Sequence, residues 1–542
     1  MGLLFAVEFL VRKMVDKKMI KSFSFTKFNS DSRKDDHILC FEDSWSKKIY
    51  KTWKDFLVDS AKLRAFISEK KSEDWILHCE DYWYFLCAFV ALLQCKKRIL
   101  LTQNISENFI AEIKKPGVEF LTDQNVPDAV SIPELVRNSP EPDEKFIREL
   151  SVLNSEETCI SMFTSGSTGK AKGVVYTHSI FQNQVKYLKE LFNFKPGELD
   201  MPGYPLFALF DIALGMTSVI PRLDPSKPAA CDPALLVETM EEYNVTTCQG
   251  SPAIWRKVYN YCKDESIKLD TLKRLITFGA PIPTELLQGM FTIMADDAEI
   301  YTPYGATESL PVAIIPGSYL VDHAAGRTIE GAGTCVGKPI KGMDVKIIKI
   351  TDEPITDFDE SLVLPDGEVG EIAVHGPVVT QEYYHEDEAN ALSKMNDGKG
   401  RKWHRMGDTG YFDKDHNLWF CGRKAHRVET EKGTLFPVMV EGMANNHPRV
   451  FRSALVGVGP KGKQTPVLII EPKPGSFPED DKQKELLSRQ ILARYDENEL
   501  YSQIQDVLFY DSFPVDPRHN VKIHREELAV WAAEELGCEI TK

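Results

Sequence analysis

Apolar and polar positions fall into blocks along the middle of the chain, and the pattern of each block predicts its element. "KKRILLT" (96–102), "GVEFLTD" (117–123), "RLITFGA" (274–280) and "AEIYTPYG" (298–305) are short apolar runs that predict strands. Between them, "SIFQNQVKYLKELFNF" (179–194) and "DPALLVETMEEYN" (232–244) carry helical patterns. "WYFLCAFVALLQC" (83–95) is apolar throughout and too short to span a bilayer, so it predicts a buried helix. Alternation of strands and helices implies α/β layers.

The texture changes from residue 331 onward. "GEVGEIAVHGP" (367–377) and "GYFDKDHNLWFCG" (410–422) predict short antiparallel strands, with turn chemistry at "DKDHN" (413–417). After "CGRK" (421–424) come two strand patterns, "RSALVGVG" (452–459) and "TPVLIIEP" (465–472). Two helical patterns follow, "DKQKELLSRQILARY" (481–495) and "REELAVWAAEEL" (525–536). A domain boundary is therefore expected near 421–425, with an N-terminal domain over 1–421 and a C-terminal one over 422–542. A chain of 542 residues exceeds one ordinary core.

Composition narrows the class. At 43% hydrophobic and 27% charged, the chain is ordinary globular, and its net charge of −16 argues against a nucleic-acid partner. Its 11 cysteines form no Cys-x-x-Cys pair. They read as reduced thiols in a cytoplasmic protein rather than a disulfide framework or a zinc site. The N-terminal "MGLLFAVEFLVRKMVDKKMIK" has an apolar run of about 11 residues, interrupted by Glu8 and followed by Arg12, Lys13, Lys17 and Lys18, too short for a transmembrane segment. It lacks the basic start of a signal peptide, and Ala6 breaks the myristoylation pattern. A packed helix or a peripheral, interfacial membrane helix remain as its readings.

The candidate chemistry begins at "MFTSGSTGKAKGVVYTH" (162–178), between an apolar run and a helical pattern. Gly166, Gly169 and Gly173 let backbone N–H groups approach an anion. Thr164, Ser165, Ser167 and Thr168 add hydroxyls, and Lys170 and Lys172 add charge. It is not a Walker loop, because the residues due after Gly166 read Ala171, Lys172 and Gly173. Further along, "YTPYGATES" (301–309) ends a strand in a glycine turn carrying Thr307 and Glu308. "HRMGDTGYF" (404–412) presents Asp408, "CGRK" presents Arg423, and "DPRHNVKIHREEL" (516–528) presents Lys522.

In order and spacing these segments resemble the adenylate-forming superfamily of acyl- and aryl-CoA ligases, luciferases and peptide-synthetase adenylation domains. "TSGSTGKAKGV", "GAPIP" (279–283), "YGATES", "GEVGEI" (367–372), "MGDTGYF", "CGRK" and "NVKIHRE" carry the resemblance over residues 155–530. It implies an α/β fold with a large N-terminal domain of two α/β subdomains plus a small β-barrel-like subdomain, and a small mobile α+β C-terminal domain. It implies ATP as co-substrate and Mg²⁺. Thr164, Ser165, Gly166, Ser167, Thr168, Gly169 and Lys172 would line the phosphates. Tyr304, beside Gly305, would stack on adenine next to Gly279, Ala280 and Pro281. Thr307 would touch the α-phosphate, Glu308 would hold Mg²⁺, Asp408 would accept the ribose hydroxyls, and Arg423 would lie near ribose or phosphate. Lys522 would bridge the reacting carboxylate and the α-phosphate.

Departures from the CoA-ligase pattern point to one branch. Ala208 stands in "PLFALFD" (205–211) where a His is common, Ala425 occupies the hinge position, and "VETEKGTLFPVMVE" replaces the usual "GYRI" stretch. "LFALFD", "GMTSVIP", "YGATESLPVA", "GAGTCVGKPI", "HRMGDTGYFD", "LWFCGRK" and "FPVDPRHNVKI" resemble the β-lactone-forming branch that serves bacterial long-chain olefin biosynthesis. That resemblance implies a long-chain β-hydroxy acid substrate and association with other olefin-pathway enzymes. A long-chain acyl-CoA ligase and a non-catalytic acyl or nucleotide sensor are the alternatives. His178, His404 and His519 are candidate bases for ring closure, none of them assigned.

Overall fold

The helices start where the sequence supplies caps. Thr52 opens the helix Trp53–Ser68 with a capping box: its hydroxyl accepts from the Asp55 N–H, and the Asp55 carboxylate accepts from the Thr52 N–H at 2.8 Å. Asp81 accepts from the N–H groups of Trp83 and Tyr84 and opens Tyr82–Gln94, in which every residue but Tyr84 is buried. An apolar surface on all sides has no polar face to turn to water, so this helix lies inside. The computed structural model describes residues 19–21, 37–42, 48–102, 104–148, 152–164, 172–224, 227–515 and 523–538.

Two sheets carry the large N-terminal domain. The first has six strands, in the order Lys172–Thr177, Thr158–Thr164, Arg98–Leu101, Asp74–His78, Glu119–Thr122 and Val130–Ser131. All neighbours are parallel except the first two, which are antiparallel. The second sheet has 14 strands and changes character along its width. His37–Glu42, Thr217–Val219, Leu199–Pro202, Thr247–Gly250, Arg274–Thr277 and Glu299–Ala306 run parallel. Antiparallel strands extend it from Ser309–Pro316 through Thr334–Pro339, Leu418–Arg423, Lys402–Phe412 and Gly370–His375 to Asp344–Ile348. The expected barrel-like subdomain is this antiparallel part, continuous with the parallel sheet. One core joins the layers, with Leu77, Phe89, Phe181, Phe210 and Ile276 in a single buried cluster.

The segment after the glycine-rich stretch, which the sequence reading left unassigned, is a strand: "GVVYT" (173–177) pairs in register with Thr158–Thr164. The helix begins only at His178, where the Thr177 hydroxyl accepts from the Ile180 N–H. β-Branched Val174, Val175 and Thr177 suit the pleat and delay the helix.

The small C-terminal domain has its own sheet, Val450–Val458, Thr465–Pro472 and Asp506–Phe509, and its own clusters of buried side chains. It meets the large domain closely: a Cβ on Gly442 would sit 2.6 Å from the Thr328 carbonyl oxygen. Arg427 adds an ion pair to Asp352 at 2.6 Å.

A buried carboxyl pair sits in the parallel part of the second sheet. Asp200, on Leu199–Pro202, accepts from Gln249 at 2.6 Å, and Asp211, on the helix Pro205–Leu214, accepts from Ser218 at 2.7 Å. Burial pushes both carboxyls up, Asp211 to about 7, and for Asp200 the charge of Asp211 adds to the rise. The folded values lie above the unfolded value near 4, so the pair's stabilisation is complete below about pH 4 and is lost as pH rises through about 7. Melting experiments between pH 5 and 8 are expected to show wild-type stability falling with pH, by up to about 1.4 kcal/mol per unit for one proton. Asp200→Asn, which has no carboxyl proton to lose and removes the neighbouring charge, should flatten that slope. An equal slope in the variant removes the pair as its cause.

Candidate active site

Asp408 and Arg423 face each other as register partners on the antiparallel strands Lys402–Phe412 and Leu418–Arg423. The Arg423 guanidinium donates to Asp408 Oδ1 at 2.9 Å and to the Met406 carbonyl at 3.3 Å. The Tyr304 hydroxyl, from the strand Glu299–Ala306, donates to Asp408 Oδ2 at 2.7 Å. Both oxygens of Asp408 are thus oriented. Burial pushes its carboxyl up against the pull of Arg423. The arginine's strand end is tied down next door: Lys424 and buried Arg405 both bond Glu371 of the "GEVGEI" segment, at 3.1 Å and 2.6 Å. Gly279 and Pro281 lie exposed just past the C-terminal end of Arg274–Thr277, where ligands bind in open parallel sheets.

The acidic turn is built from four separate stretches of chain. Gly305 is required there, since a Cβ would lie 2.5 Å from the Ser309 carbonyl oxygen. Tyr176, on the hairpin strand Lys172–Thr177, donates its hydroxyl to the Thr307 carbonyl. Gln184 donates to the Leu310 carbonyl at 3.1 Å. Thr380 donates its N–H and its hydroxyl to the Glu308 carbonyl, at 2.9 Å and 3.1 Å, and the Tyr383 hydroxyl donates to Glu308 Oε1 at 2.7 Å. Burial, then the Glu308 charge, pushes the Tyr383 phenol up, so it stays a donor.

Beneath this turn lies a lysine that the sequence did not single out. Lys394 is 6% exposed and donates to the Thr380 carbonyl at 2.6 Å and to its hydroxyl at 3.0 Å. Its amine is 5.4 Å from the Tyr383 ring centroid. Burial pulls it down to about 7. His404 adjoins it, fully enclosed, with Nδ1 3.2 Å from the Ser393 carbonyl. Burial and then the lysine's charge keep its imidazole neutral. His178 is also held neutral by burial, at about 4.

Thr164 and Lys172, the two ends of the glycine-rich loop, are register partners, so the loop closes a β-hairpin. Lys172 stands over the Tyr383 ring at 5.7 Å. Ser165, Gly166, Ser167, Thr168 and Gly169 lie outside the described residues, as do Lys522, His519 and the N-terminal segment 1–18. Among the described residues, no three His, Cys, Asp or Glu side chains gather into a metal cage. A lone, oriented carboxylate at Glu308 fits a hard cation that arrives with phosphate oxygens.

The profile described as AMP-binding enzyme matches residues 89–384, a stretch that holds the glycine-rich loop, Tyr304 and Glu308. The chain belongs to the AMP-binding enzyme family. Its curated relatives in this family of adenylate-forming ligases include the olefin β-lactone synthetases of Xanthomonas campestris pv. campestris and Stenotrophomonas maltophilia. Each is 44% identical over 391 residues, 71% of this chain and 69% of the relative. A solved structure of O-succinylbenzoate Coenzyme A synthetase from Bacillus subtilis, in complex with ATP and magnesium ion, aligns with a TM-score of 0.73 at 18% identity. It covers 94% of this chain and 99% of that one, and establishes the fold.

Within this AMP-binding enzyme, the structure gathers Tyr304, Asp408 and Arg423 in one cluster and places Thr307 and Glu308 on the clamped turn. Sequence reading missed Tyr176, Thr380, Tyr383 and Lys394. The paired tyrosines of "QEYYH" (381–385) were the one local sign, since a phenol beside a charged turn commonly carries a hydrogen bond.

Proposed function

We propose that the protein converts a long-chain β-hydroxy fatty acid to a β-lactone through an acyl adenylate, with ATP giving AMP and pyrophosphate. The observation that carries this is the 44% identity to the olefin β-lactone synthetases over 71% of the chain. Residues 1–421 form the nucleotide domain in this reading and 422–542 the mobile one. A cytoplasmic setting, beside enzymes that make the hydroxy acid and consume the lactone, belongs to the same reading.

Asp408 accepts both ribose hydroxyls, with Arg423 and Tyr304 fixing its carboxylate. Tyr304 and Gly279–Pro281 frame the adenine. Thr164 to Gly169 and Lys172 hold the phosphates, and Thr307 contacts the α-phosphate. Mg²⁺ at Glu308 supplies charge neutralisation on the phosphate oxygens. The fatty-acid carboxylate attacks the α-phosphorus, and the bond to the β-phosphate oxygen breaks, releasing pyrophosphate. Lys522 stabilises the charge that builds between carboxylate and phosphate. The substrate's β-hydroxyl oxygen then bonds to the acyl carbon, its proton is lost, and the acyl–phosphate bond breaks, releasing AMP. An intramolecular nucleophile is already placed, so no thiol acceptor is needed.

Water must be kept from the adenylate. Aromatic packing beside the adenine-facing turn supports this: Phe207 lies 4.8 Å from Phe278, and Phe210 stacks on Phe181 at 5.0 Å. Ala208, where a histidine is common, is fully buried among them.

The test is product analysis. With ATP, Mg²⁺ and a long-chain 3-hydroxy acid, and without CoA, mass spectrometry is expected to find a product lighter than the acid by one water. AMP and pyrophosphate should appear in equal amounts with it. A thioester that forms only when CoA is added, with no lactone, would overturn the proposal in favour of an acyl-CoA ligase.

A further inference from the structure

Among the described residues Lys394 is the one buried lysine, and the charges of Glu308 and Glu382 favour its ammonium only from beyond direct contact. Among the described residues no carboxylate lies within ion-pair distance of its amine, and its acceptors are the two oxygens of Thr380. Burying an ammonium with no carboxylate in direct contact costs several kcal/mol. A methionine or leucine would fill the space without that cost. The amine must therefore contribute through what it touches.

What it touches is the residue that grips Glu308. Thr380 is fully buried, and its hydroxyl has one proton to give. That proton goes to the Glu308 carbonyl, because Lys394 donates to the same hydroxyl from the other side. The lysine amine, as donor to both oxygens, thus sets the direction of the Thr380 hydroxyl and, through the Thr380 carbonyl, the pose of its peptide. Three residues on, Tyr383 orients the Glu308 carboxylate, with the same amine near its ring. A single lysine amine braces the backbone of Glu308 at one end and its side chain at the other.

We propose that Lys394 is a positioning residue that sets Glu308 for the metal–nucleotide complex, acting through Thr380 and Tyr383. This rests on the reading of Glu308 as the metal ligand. Residues that orient a metal's ligand typically change its affinity by about 10–100-fold when removed.

The experiment compares two affinities in each variant. One is for Mn²⁺·ATP, followed by electron paramagnetic resonance. The other is for ATP in EDTA, followed by calorimetry. Melting curves are recorded alongside. Lys394→Met is expected to weaken Mn²⁺·ATP by about tenfold or more while metal-free ATP binds as before. Lys394→Arg should restore part of the loss. Thr380→Val, which keeps the carbonyl but has no hydroxyl, should weaken Mn²⁺·ATP in the same direction and less, and it decides the matter if Lys394→Met does not fold. Equal losses of both affinities, or a lowered melting temperature with Mn²⁺·ATP binding intact, would overturn the proposal. Glu308→Gln separates the premises. If it weakens Mn²⁺·ATP and the Lys394 and Thr380 variants do not, only this proposal fails. If it leaves Mn²⁺·ATP unchanged, the metal reading is withdrawn and this proposal with it.

Discussion

Lys522→Ala is expected to lower hydroxy-acid-dependent exchange of pyrophosphate into ATP by about 100-fold or more, the effect of removing one preorganised donor from a developing charge. In the adenylation step, negative charge concentrates on the attacking carboxylate, the α-phosphate and the departing pyrophosphate. A cation held at that point favours the transition state more than bound ATP, so the loss falls on rate. ATP affinity should stay near wild type, because the groups proposed to hold the nucleoside, Asp408, Arg423 and Tyr304, are bonded to one another on the strands of the large sheet. Val515 and Ile523, which flank the stretch of sequence holding Lys522, are joined by an antiparallel bridge. Exchange at the wild-type rate in the variant would remove Lys522 from the mechanism.

Asp408→Ala should fail in the opposite way, by binding rather than by rate. A carboxylate that accepts two ribose hydroxyls makes two charge-assisted hydrogen bonds, each about 1.5–3 kcal/mol. Their loss corresponds to about 100-fold or more in ATP affinity. The vacancy also strands the Tyr304 hydroxyl and the Arg423 guanidinium, both now satisfied by Asp408. Some loss of stability should therefore accompany the loss of affinity. Calorimetry with ATP measures the first and thermal melting the second. An Asp408→Ala protein that binds ATP as tightly as wild type would dissociate this carboxylate from the ribose.

The parts of this arrangement that were legible in the sequence are local. Asp408 and Arg423 sit in short glycine-bounded segments on strands joined by the turn "DKDHN" (413–417), so their pairing follows from a hairpin register. The buried helix Tyr82–Gln94 was legible from its unbroken apolar run, while its Asp81 cap came to light only in the structure. The fold and its division into a large and a small domain came from the order of the segments. What stayed hidden depends on chain segments that are distant in sequence. Nothing near Lys394 marks it as a support for Glu308, since the contact runs through Thr380 and is a product of tertiary packing. "GVVYT" (173–177) was left unassigned, because a hairpin strand that leads straight into a helix gives the window two competing periods.

The clamp around the acidic turn also sets a clock on synthesis. Tyr383 follows Glu308 by 75 residues, and Thr307 had to wait 131 residues after Tyr176. At about 5–20 residues per second, the ribosome takes about 4–15 s to travel from Glu308 to the tyrosine that orients it. During that interval the nascent protein already contains its glycine-rich segment and its acidic residue, yet neither the grip of Thr380 nor the phenol of Tyr383 exists. Asp408 and Arg423 emerge later still. A half-made chain therefore lacks groups proposed to hold ATP, and the candidate site is complete only once the last of these distant pieces leaves the ribosome.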